Sequence, residues 1–320
     1  MEQTASEASI ALVPRGSVWR GALMRLLRNK LAMAAIGVML AFIFVAAFAP
    51  QLAPHPYDFQ SRARPDRGNG GLDLPPIWIQ TGDPLTSGKP GYWLGTDTLG
   101  RDIFSRVIYA SRISIPTGFI PLLFTLPFGI GVGLAAGYLG GRVDQWLMRL
   151  TDTIFAIPQL LLVVLVAFIL RPTPIAEPLQ GMVPVFLALA LTGWVTLARL
   201  VRGQALTLKE EEFIVAARAV GMSPARIMFR YLLPNMAGPL ITTAALSIPL
   251  FIVTEIILEY MGVSARLPYP TWGGMIAAEN LLRDVSINVI WPPAVCMTLI
   301  SLAFVFISDG LRDALDPREG

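Results

Sequence analysis

Long apolar stretches constrain the fold of this 320-residue chain more than any other feature of its sequence. Five of them hold no charged residue, and a sixth holds one glutamate. The six stretches are residues 31–50, 113–138, 153–170, 182–198, 236–258 and 288–307. Because a helix needs about 20 apolar residues to cross a bilayer, the pattern predicts an all-α polytopic membrane protein with six transmembrane helices.

The polar segments between these stretches divide the chain into parts. Charged residues make up 15% of the sequence, against about 25% in an average soluble domain. The predicted parts are a cytoplasmic N-terminal tail at 1–30, transmembrane helix one at 31–50, an extracytoplasmic loop at 51–112 that ends in an amphipathic segment, a transmembrane core at 113–309 that holds helices two to six and a cytoplasmic hairpin at 203–235, and a cytoplasmic C-terminal tail at 310–320. The Pro- and Gly-rich stretch 65–92 is interpreted as an insertion in the long loop.

The distribution of basic residues predicts the orientation of the chain. With the N-terminus inside, the predicted cytoplasmic segments hold 15 Lys and Arg residues and the outside segments hold 10. Seven of those 10 lie in the one long loop, where the positive-inside bias carries little weight. Both termini and the hairpin are therefore predicted to be cytoplasmic.

The stretch from Glu212 to Asn235 has helical periodicity but is too polar to lie in lipid. The apolar residues predicted to share one face of its first helix are Phe213, Ala216, Ala217 and Val220. Gly221 is the residue type that ends a helix in a left-handed conformation. The exposed stripe either binds a partner or packs on the protein's own helices.

The second helix of this stretch begins at Ser223-Pro224, a pair typical of an N-cap followed by a first-turn proline. The residues predicted to line one side of it are Ile227, Met228, Tyr231 and Leu232. Pro234 marks its end or a sharp redirection. Residues 212–235 are thus predicted to form a helix-turn-helix hairpin between two membrane spans.

The sequence excludes several kinds of chemistry. It holds no G-x-x-x-x-G-K-[ST], H-E-x-x-H or G-x-S-x-G pattern, so we expect neither ATP binding nor hydrolysis by this chain. The single histidine, His55, and the single cysteine, Cys296, are too few for a His/Cys metal site or an internal disulfide. No basic patch indicates nucleic-acid binding.

Two acids and two tryptophans lie near the predicted outer ends of the spans. Glu255 and Glu259 are one helical turn apart, and intramembrane acids are candidates for function; alternatively they lie at the interface, hydrated or paired. Trp272 and Trp291 fit interfacial aromatic anchors. Glu255, Glu259 and Trp272 are also candidate residues of a translocation path or outer gate.

Several motifs together resemble the C-type permease subunit of dipeptide, oligopeptide and nickel ABC importers. They are WLGTDTLGRDIFSR at 93–106, GYLGGRVDQWLMRLTD at 137–152 and SDGLRDALDPR at 308–318. The hairpin resembles the coupling motif of these permeases, E-A-A, three residues, G, nine residues, I-x-L-P. Ala216, Ala217 and Gly221 match it, Leu233-Pro234 closes it, and Val215 replaces the leading glutamate.

The resemblance implies a type I ABC importer permease fold with cytoplasmic coupling helices, in a bacterial inner membrane. It implies that this chain binds no cofactor, since ATP and magnesium belong to partner ATPases. The ATPase-coupling residues that it implies are Ala216, Ala217, Gly221, Ser223, Pro224, Arg226, Leu233 and Pro234. The implied partners are a B-type permease, two cytoplasmic ATPases and an extracytoplasmic solute-binding protein.

Peptide is the implied substrate, moved by alternating access, and nickel chelates, glutathione and opines are alternatives carried by similar permeases. A stand-alone secondary transporter is a second hypothesis, but it predicts an internal repeat or a relay of buried acids. A membrane-bound scaffold or enzyme is a third, and it predicts a soluble catalytic domain. Neither signature is present in the sequence.

Overall fold

The computed structural model describes residues 15–60, 74–82, 87–263, 265, 268–281 and 287–315. Within these ranges the chain is helical, with no β-strand beyond two isolated backbone pairs. Parts of the predicted insertion at 65–92, of both tails and of the loop after residue 263 lie outside the described residues. The predicted all-α class is confirmed.

Thirteen α-helices follow one another through the described residues. They are α1 (Arg15–Arg28), α2 (Lys30–Ala47), α3 (Ala49–Leu52), α4 (Ile103–Leu134), α5 (Gly141–Phe155), α6 (Gln159–Leu170), α7 (Val183–Leu208), α8 (Glu212–Ala219), α9 (Pro224–Ile227), α10 (Leu233–Asn235), α11 (Ala237–Tyr260), α12 (Trp272–Leu281) and α13 (Ile287–Leu315). One wide π turn extends α4 through Leu139, and another joins α9 to α10.

Five of these helices, namely α2, α4, α7, α11 and α13, are long and apolar enough to cross a membrane. A sixth span is possible only as a bent pair, because α5 and α6 meet at an angle of 86°. The bend falls at residues 156–158, where Pro158 cannot donate a helical hydrogen bond. The third predicted span, 153–170, therefore corresponds to α6 and the last turn of α5.

Several helices are longer than the apolar runs that predicted them. Helix α7 continues past residue 198 to Leu208, so residues 203–208 belong to this span and not to the hairpin. Helix α13 continues through Leu315, into the predicted tail at 310–320. An apolar run in the sequence ends at the first charged residues, whereas a helix continues as long as its backbone hydrogen bonds do. Helices α7 and α13 therefore extend beyond the apolar runs that predicted them.

Close contact between α4 and α7 is made possible by three glycines one turn apart, Gly129, Gly133 and Gly137. A Cβ atom at Gly133 would lie 2.5 Å from Val201 Cβ and 2.6 Å from the Ala198 carbonyl oxygen. One at Gly137 would lie 2.7 Å from Ala205 Cβ. The two backbones touch along this stripe, as expected of small residues spaced four apart in membrane helices.

The buried apolar side chains form a large cluster, a smaller one beside it and a third of only three residues around Trp194. The large cluster joins α2, α4, α6, α7, α11, α12 and α13, with Phe251 and Trp272 among its largest members. The smaller cluster joins the ends of α4 and α7 to the hairpin. We call this the hairpin end of the bundle, and the end where α12 lies against the first half of α4 the far end.

Candidate functional site

The hairpin lies between α7 and α11 and consists of α8, a glycine turn, α9, a π turn and α10. Three residues, 209–211, separate it from α7, and Met236 alone separates it from α11. It is therefore joined at both ends to long apolar helices. The predicted helix-turn-helix is present, with its first helix at the predicted position.

The turn of the hairpin depends on Gly221, whose φ is +76°. The Gly221 N–H donates to the Arg218 carbonyl (2.9 Å) and the Met222 N–H donates to the Ala217 carbonyl (3.1 Å). This pair of bonds is the Schellman motif, which requires a left-handed residue directly after the helix. A Cβ at Gly221 would meet no atom within 4 Å, so backbone conformation and not space selects glycine here.

One face of the hairpin is fixed to the bundle. Ile214, Ile227 and Leu232 are completely buried, and Ala217 is 5% exposed. They pack in the smaller apolar cluster, together with residues of α4 and α7 that include Leu134, Leu197 and Val201. Because this face is packed on the bundle, the opposite face of the hairpin is the one exposed to solvent.

The other face of the hairpin is exposed and apolar. Val220 is 73% exposed, Val215 53% and Phe213 40%, and Phe229 of the second half is 60% exposed. The predicted stripe was therefore only partly right, because Ala217 faces the bundle while Phe213, Ala216 and Val220 face away from it. The interpretation that the stripe packs on the protein's own helices holds for Ala217, and the exposed residues leave the partner interpretation open as a prediction.

The remaining coupling candidates lie at or near this exposed face. Ser223, Pro224 and Arg226 are exposed, and Ser223 occupies the predicted N-cap position without a capping bond from its side chain. Arg218 donates to the Lys209 carbonyl (2.6 Å) and lies 5.5 Å from the centre of the Tyr138 ring. Arg218 thus joins α8 to the end of α7 and to the π turn after α4.

The second half of the hairpin is less regular than predicted, and Pro234 explains why. Proline cannot donate to the carbonyl four residues earlier, at Arg230. The Leu233 N–H instead donates to Met228, five residues back, which makes the π turn. Leu233 is half-buried and Pro234 exposed. The chain is redirected at Pro234 and enters α11 after Met236.

The two acids singled out in the sequence lie at the far end, where α12 packs on α11. Glu255 is completely buried and Glu259 half-buried. A Cβ at Gly273 would lie 2.5 Å from Glu255 Oε2, and one at Gly274 3.1 Å from Glu259 Oε1. Because Glu255 is completely buried, the interpretation that it lies hydrated at the membrane interface is wrong. Gly273 and Gly274 lack the side chains that would fill the space occupied by the two carboxylates.

Trp272 is not an interfacial anchor. It is completely buried, its backbone N–H donates to Ser114 Oγ (3.0 Å) and its Nε1–H donates to the Val107 carbonyl (3.1 Å). Its ring meets Phe42 edge-to-face at 5.8 Å. Trp272 therefore joins α12 to α4 and α2. Trp291, 39% exposed, remains compatible with the anchor prediction.

A polar network at the start of α4 was not predicted as a unit. Asp97 accepts from the backbone and Nε of Arg101 (2.9 and 2.7 Å) and lies 3.8 Å from Arg106 Nε. Asp102, 1% exposed, caps α4 by accepting from the Ser105 N–H (3.0 Å). Both carboxylates are buried in this network.

The same network ties down the segment after α3. The Arg106 guanidinium donates to the Tyr57 carbonyl, and the His55 N–H donates to Ser105 Oγ, each at 3.0 Å. The His55 ring is stacked between Tyr92 and Phe59. Burial, followed by the neighbouring Tyr269 and the charge of Asp58, raises the pKa of the Tyr57 phenol above its usual value. These contacts cross about 50 residues of sequence, and no local pattern marks them.

Comparison with protein families gives two matches along the chain. Residues 129–320 match the family described as binding-protein-dependent transport system inner membrane component. Residues 17–76 match the N-terminal TM domain of oligopeptide transport permease C. The first match includes the entire hairpin, and the second includes α2 and the segment after α3.

Individual proteins resemble the chain over nearly its whole length. It is 34% identical to the oligopeptide transport system permease protein OppC of Bacillus subtilis, over 94% of this chain and 90% of that protein. It is 35% identical to the glutathione transport system permease protein GsiD of Pectobacterium atrosepticum, over 94% and 91%. Among solved structures, the inward-facing MetNI methionine ABC transporter matches 67% of this chain and 96% of its own, with a TM-score of 0.53 and 18% identity, which concerns the fold alone.

Proposed function

Since this chain belongs to the family of binding-protein-dependent transport system inner membrane components, we propose that it forms one half of the membrane pathway of an ATP-driven peptide importer. The chain is a multi-span permease of the ABC importer class. The observation that carries the proposal is the hairpin, which is fixed to the bundle by one apolar face and exposes a second. A surface of this kind fits a protein partner.

We propose that the hairpin is the part of the chain on which the partner ATPases act. The sequence has no ATP-binding loop, so a transporter that uses ATP must receive the energy from another chain. Phe213, Val215 and Val220 supply an apolar surface that fits a groove on an ATPase. Movement of the ATPases would act on α7 and α11 together, because the hairpin joins these two helices through a few residues.

The proposed assembly contains this chain, a B-type permease, two cytoplasmic ATPases and an extracytoplasmic solute-binding protein. The family description, which names binding-protein-dependent transport, supports the last of these. ATP and magnesium would be bound by the ATPases. The chain is an inner-membrane protein, and we propose that both termini and the hairpin are cytoplasmic, in keeping with the excess of basic residues in those segments.

Peptides are the proposed substrates because relatives at 34–35% identity are named oligopeptide and dipeptide permeases. The relative named as a glutathione permease supports the alternative that the cargo is glutathione, itself a small peptide. Substrate would pass between the two permeases by alternating access. The solute-binding protein would supply much of the selectivity.

Capture of the ATPases by the tagged chain tests the role of the hairpin. In membranes that contain the full set of subunits, the double variant Phe213→Glu, Val220→Glu should lose at least tenfold in captured ATPase, because a charge at each position opposes an apolar contact. Both side chains are exposed, so the variant leaves the buried face intact. Trp78→Glu is the matched control, since Trp78 is 60% exposed and lies in the long loop.

Two results would contradict the proposal. One is capture of the ATPases by the double variant at the level of the unmodified chain. The other is uptake of peptide by proteoliposomes that contain the permeases without the ATPases, which would favour the secondary-transporter hypothesis.

A further inference from the structure

A cavity of about 70 Å³ opens between α4, α6, α7 and α11. Its polar lining comes from all four helices and consists of Thr125, Gln159, Thr196, Thr243 and Ser247. Leucines and Phe251 form the apolar part of the wall. Among the described residues that line the cavity, none carries a charge.

The cavity lies near the middle of the membrane helices. Ser247 is close to the centre of the apolar run 236–258 of α11, and Thr125 is close to the centre of the run 113–138 of α4. At a rise of about 1.5 Å per residue, each lies roughly 15 Å or more from either end of its apolar run. Thr196 lies nearer the hairpin end, three residues before Arg199. Since the hydrocarbon core is about 30 Å thick, Ser247 and Thr125 are at the depth where lipid offers no hydrogen bonds.

The hydroxyl groups at this depth present acceptors to the cavity. Ser247 Oγ donates its proton to the Thr243 carbonyl (2.8 Å), and Thr243 Oγ1 donates its own to the Pro239 carbonyl (2.9 Å). Each proton is used within the helix, so the oxygen lone pairs remain for a donor outside it. The Gln159 amide, at the start of α6, offers both donors and an acceptor.

The exposed residues of α6 after Gln159 are apolar and therefore suited to contact with lipid. Leu161, Leu165 and Phe168 are 63%, 54% and 66% exposed. They carry no hydrogen-bonding group, whereas Gln159 and Thr196 are exposed and polar. Polar side chains within membrane spans face protein or a water-filled cavity. The cavity surface is therefore turned away from lipid.

We propose that this cavity is a binding site for the backbone of a peptide in transit, and that it does not select among peptides by side-chain charge. The inference rests on the proposed function and deepens it. The hydroxyl oxygens suit peptide N–H groups, the Gln159 amide suits peptide carbonyls, and the absence of charge among the lining residues leaves no basis for preferring acidic or basic side chains. The partner permease closes the open side.

Thiol labelling tests whether the cavity is an aqueous site. Cys296 is the only cysteine in the sequence, so Cys296→Ala gives a background without thiols. In the reconstituted importer, Thr196→Cys and Ser247→Cys should react with a charged, membrane-impermeant methanethiosulfonate at least tenfold faster than the control Leu165→Cys. A neutral tripeptide should slow the reaction. Slow labelling at 196 and 247, equal to that at 165 with and without ATP, would overturn the proposal.

Charge placed in the cavity tests the lack of charge selection. Ser247→Asp should lower transport of an acidic tripeptide relative to a basic one by at least tenfold, Ser247→Lys should reverse the ratio, and Ser247→Asn should leave it near that of the unmodified chain. Capture of the ATPases shows that each variant assembles. Ratios that stay equal in assembled Asp and Lys variants would overturn the proposal.

The two proposals fail in different ways. Rapid labelling of position 247 in an importer that moves no peptide would overturn peptide as the substrate, which belongs to the proposed function. Peptide transport with unreactive thiols at 196 and 247 would overturn the cavity assignment and leave the proposed function intact.

Discussion

The two ends of the bundle hold their non-spanning segments by different interactions. At the far end, the segment after α3 is tied to α4 by hydrogen bonds from His55 and Arg106, next to the buried carboxylates of Asp97 and Asp102. At the hairpin end, attachment depends mainly on apolar side chains such as Ile214. The prominent ion pair near that end, Asp144 with Arg202, joins α5 to α7 and leaves Arg202 35% exposed.

The difference has a physical consequence. Buried, hydrogen-bonded charges fix a geometry sharply, because a displacement of even 1 Å leaves a charge without a partner. Apolar contacts tolerate small displacements at modest cost. We therefore expect the far end to be a rigid platform and the hairpin end to be the part of the chain that can move with a partner.

The largest expected effect is at the far-end platform. Asp97→Ala removes the carboxylate that accepts from Arg101 and balances the charge of Arg106, and these two side chains are only 12% and 7% exposed. Removing one partner of a buried pair costs about 3–5 kcal/mol. Asp144→Ala breaks a pair that water already reaches, so we expect about 1 kcal/mol or less. Thermal unfolding of the purified chain in detergent measures both.

Asp58→Ala is the control for this comparison, since Asp58 is an exposed carboxylate of the segment tied to α4. It should change the unfolding temperature little. Equal destabilisation by Asp97→Ala and Asp144→Ala would remove the distinction between the two ends.

The second effect concerns the buried face of the hairpin. Ile214→Ala should destabilise the attachment of the hairpin by about 2–5 kcal/mol, because Ile214 is completely buried. Val215→Ala, beside it but 53% exposed, should change stability by no more than about 0.5 kcal/mol. Limited trypsin digestion at Arg218 and Arg226 reports detachment. Similar cleavage rates for the two variants would contradict the assignment of faces.

The third effect concerns the turn. Gly221→Val forces a β-branched residue to a φ of +76°, at a cost of about 1–3 kcal/mol. Substrate-stimulated ATPase activity of the reconstituted importer should fall. Gly221→Asn should retain most of it, because asparagine tolerates this conformation better. Gly203→Ala, another open position but within a helix, is the control. Normal stimulation with Gly221→Val would show that the turn is not required.

The smallest effect is at the contact between α12 and α4. Trp272→Phe removes the hydrogen bond from Nε1 to the Val107 carbonyl (3.1 Å) and keeps most of the buried ring. Hydrogen bonds between membrane helices contribute roughly 0.6 kcal/mol, so the unfolding temperature should fall only slightly. A fall in unfolding temperature as large as that of Asp97→Ala would contradict this expectation. It would show that the Nε1 hydrogen bond, and not only the packing of the ring, stabilises the far end.

Local features of the fold were predictable from the sequence. The apolar runs located the membrane helices because hydrophobic length is set by the bilayer. Gly221 located the turn because few residue types adopt its conformation. Which face of α8 is buried was harder to predict, because six of its eight residues, Phe213 to Ala217 and Ala219, are apolar and several faces fit equally well. Only the position of α4 and α7 decides that Ile214 and Ala217 are buried.

Features that depend on contacts between distant segments were not predictable. The 86° angle of the bend between α5 and α6 was not predictable, although Pro158 marked its place. Trp272 matched an interfacial anchor in composition, and only its contacts with Ser114 and Val107 show otherwise. The cavity takes its lining from four helices, and each contributes polar residues that are unremarkable in isolation.

The glycine stripe of α4 determines how a displacement would travel. Since Gly133 and Gly137 place the backbone of α4 against α7 with no space for a Cβ, the two helices cannot slide past each other without separating. Helix α7 has 26 residues and is therefore about 39 Å long. Helices α4 and α7 should therefore move as one rigid body. A displacement at the hairpin end of α7 should tilt both helices along their whole length.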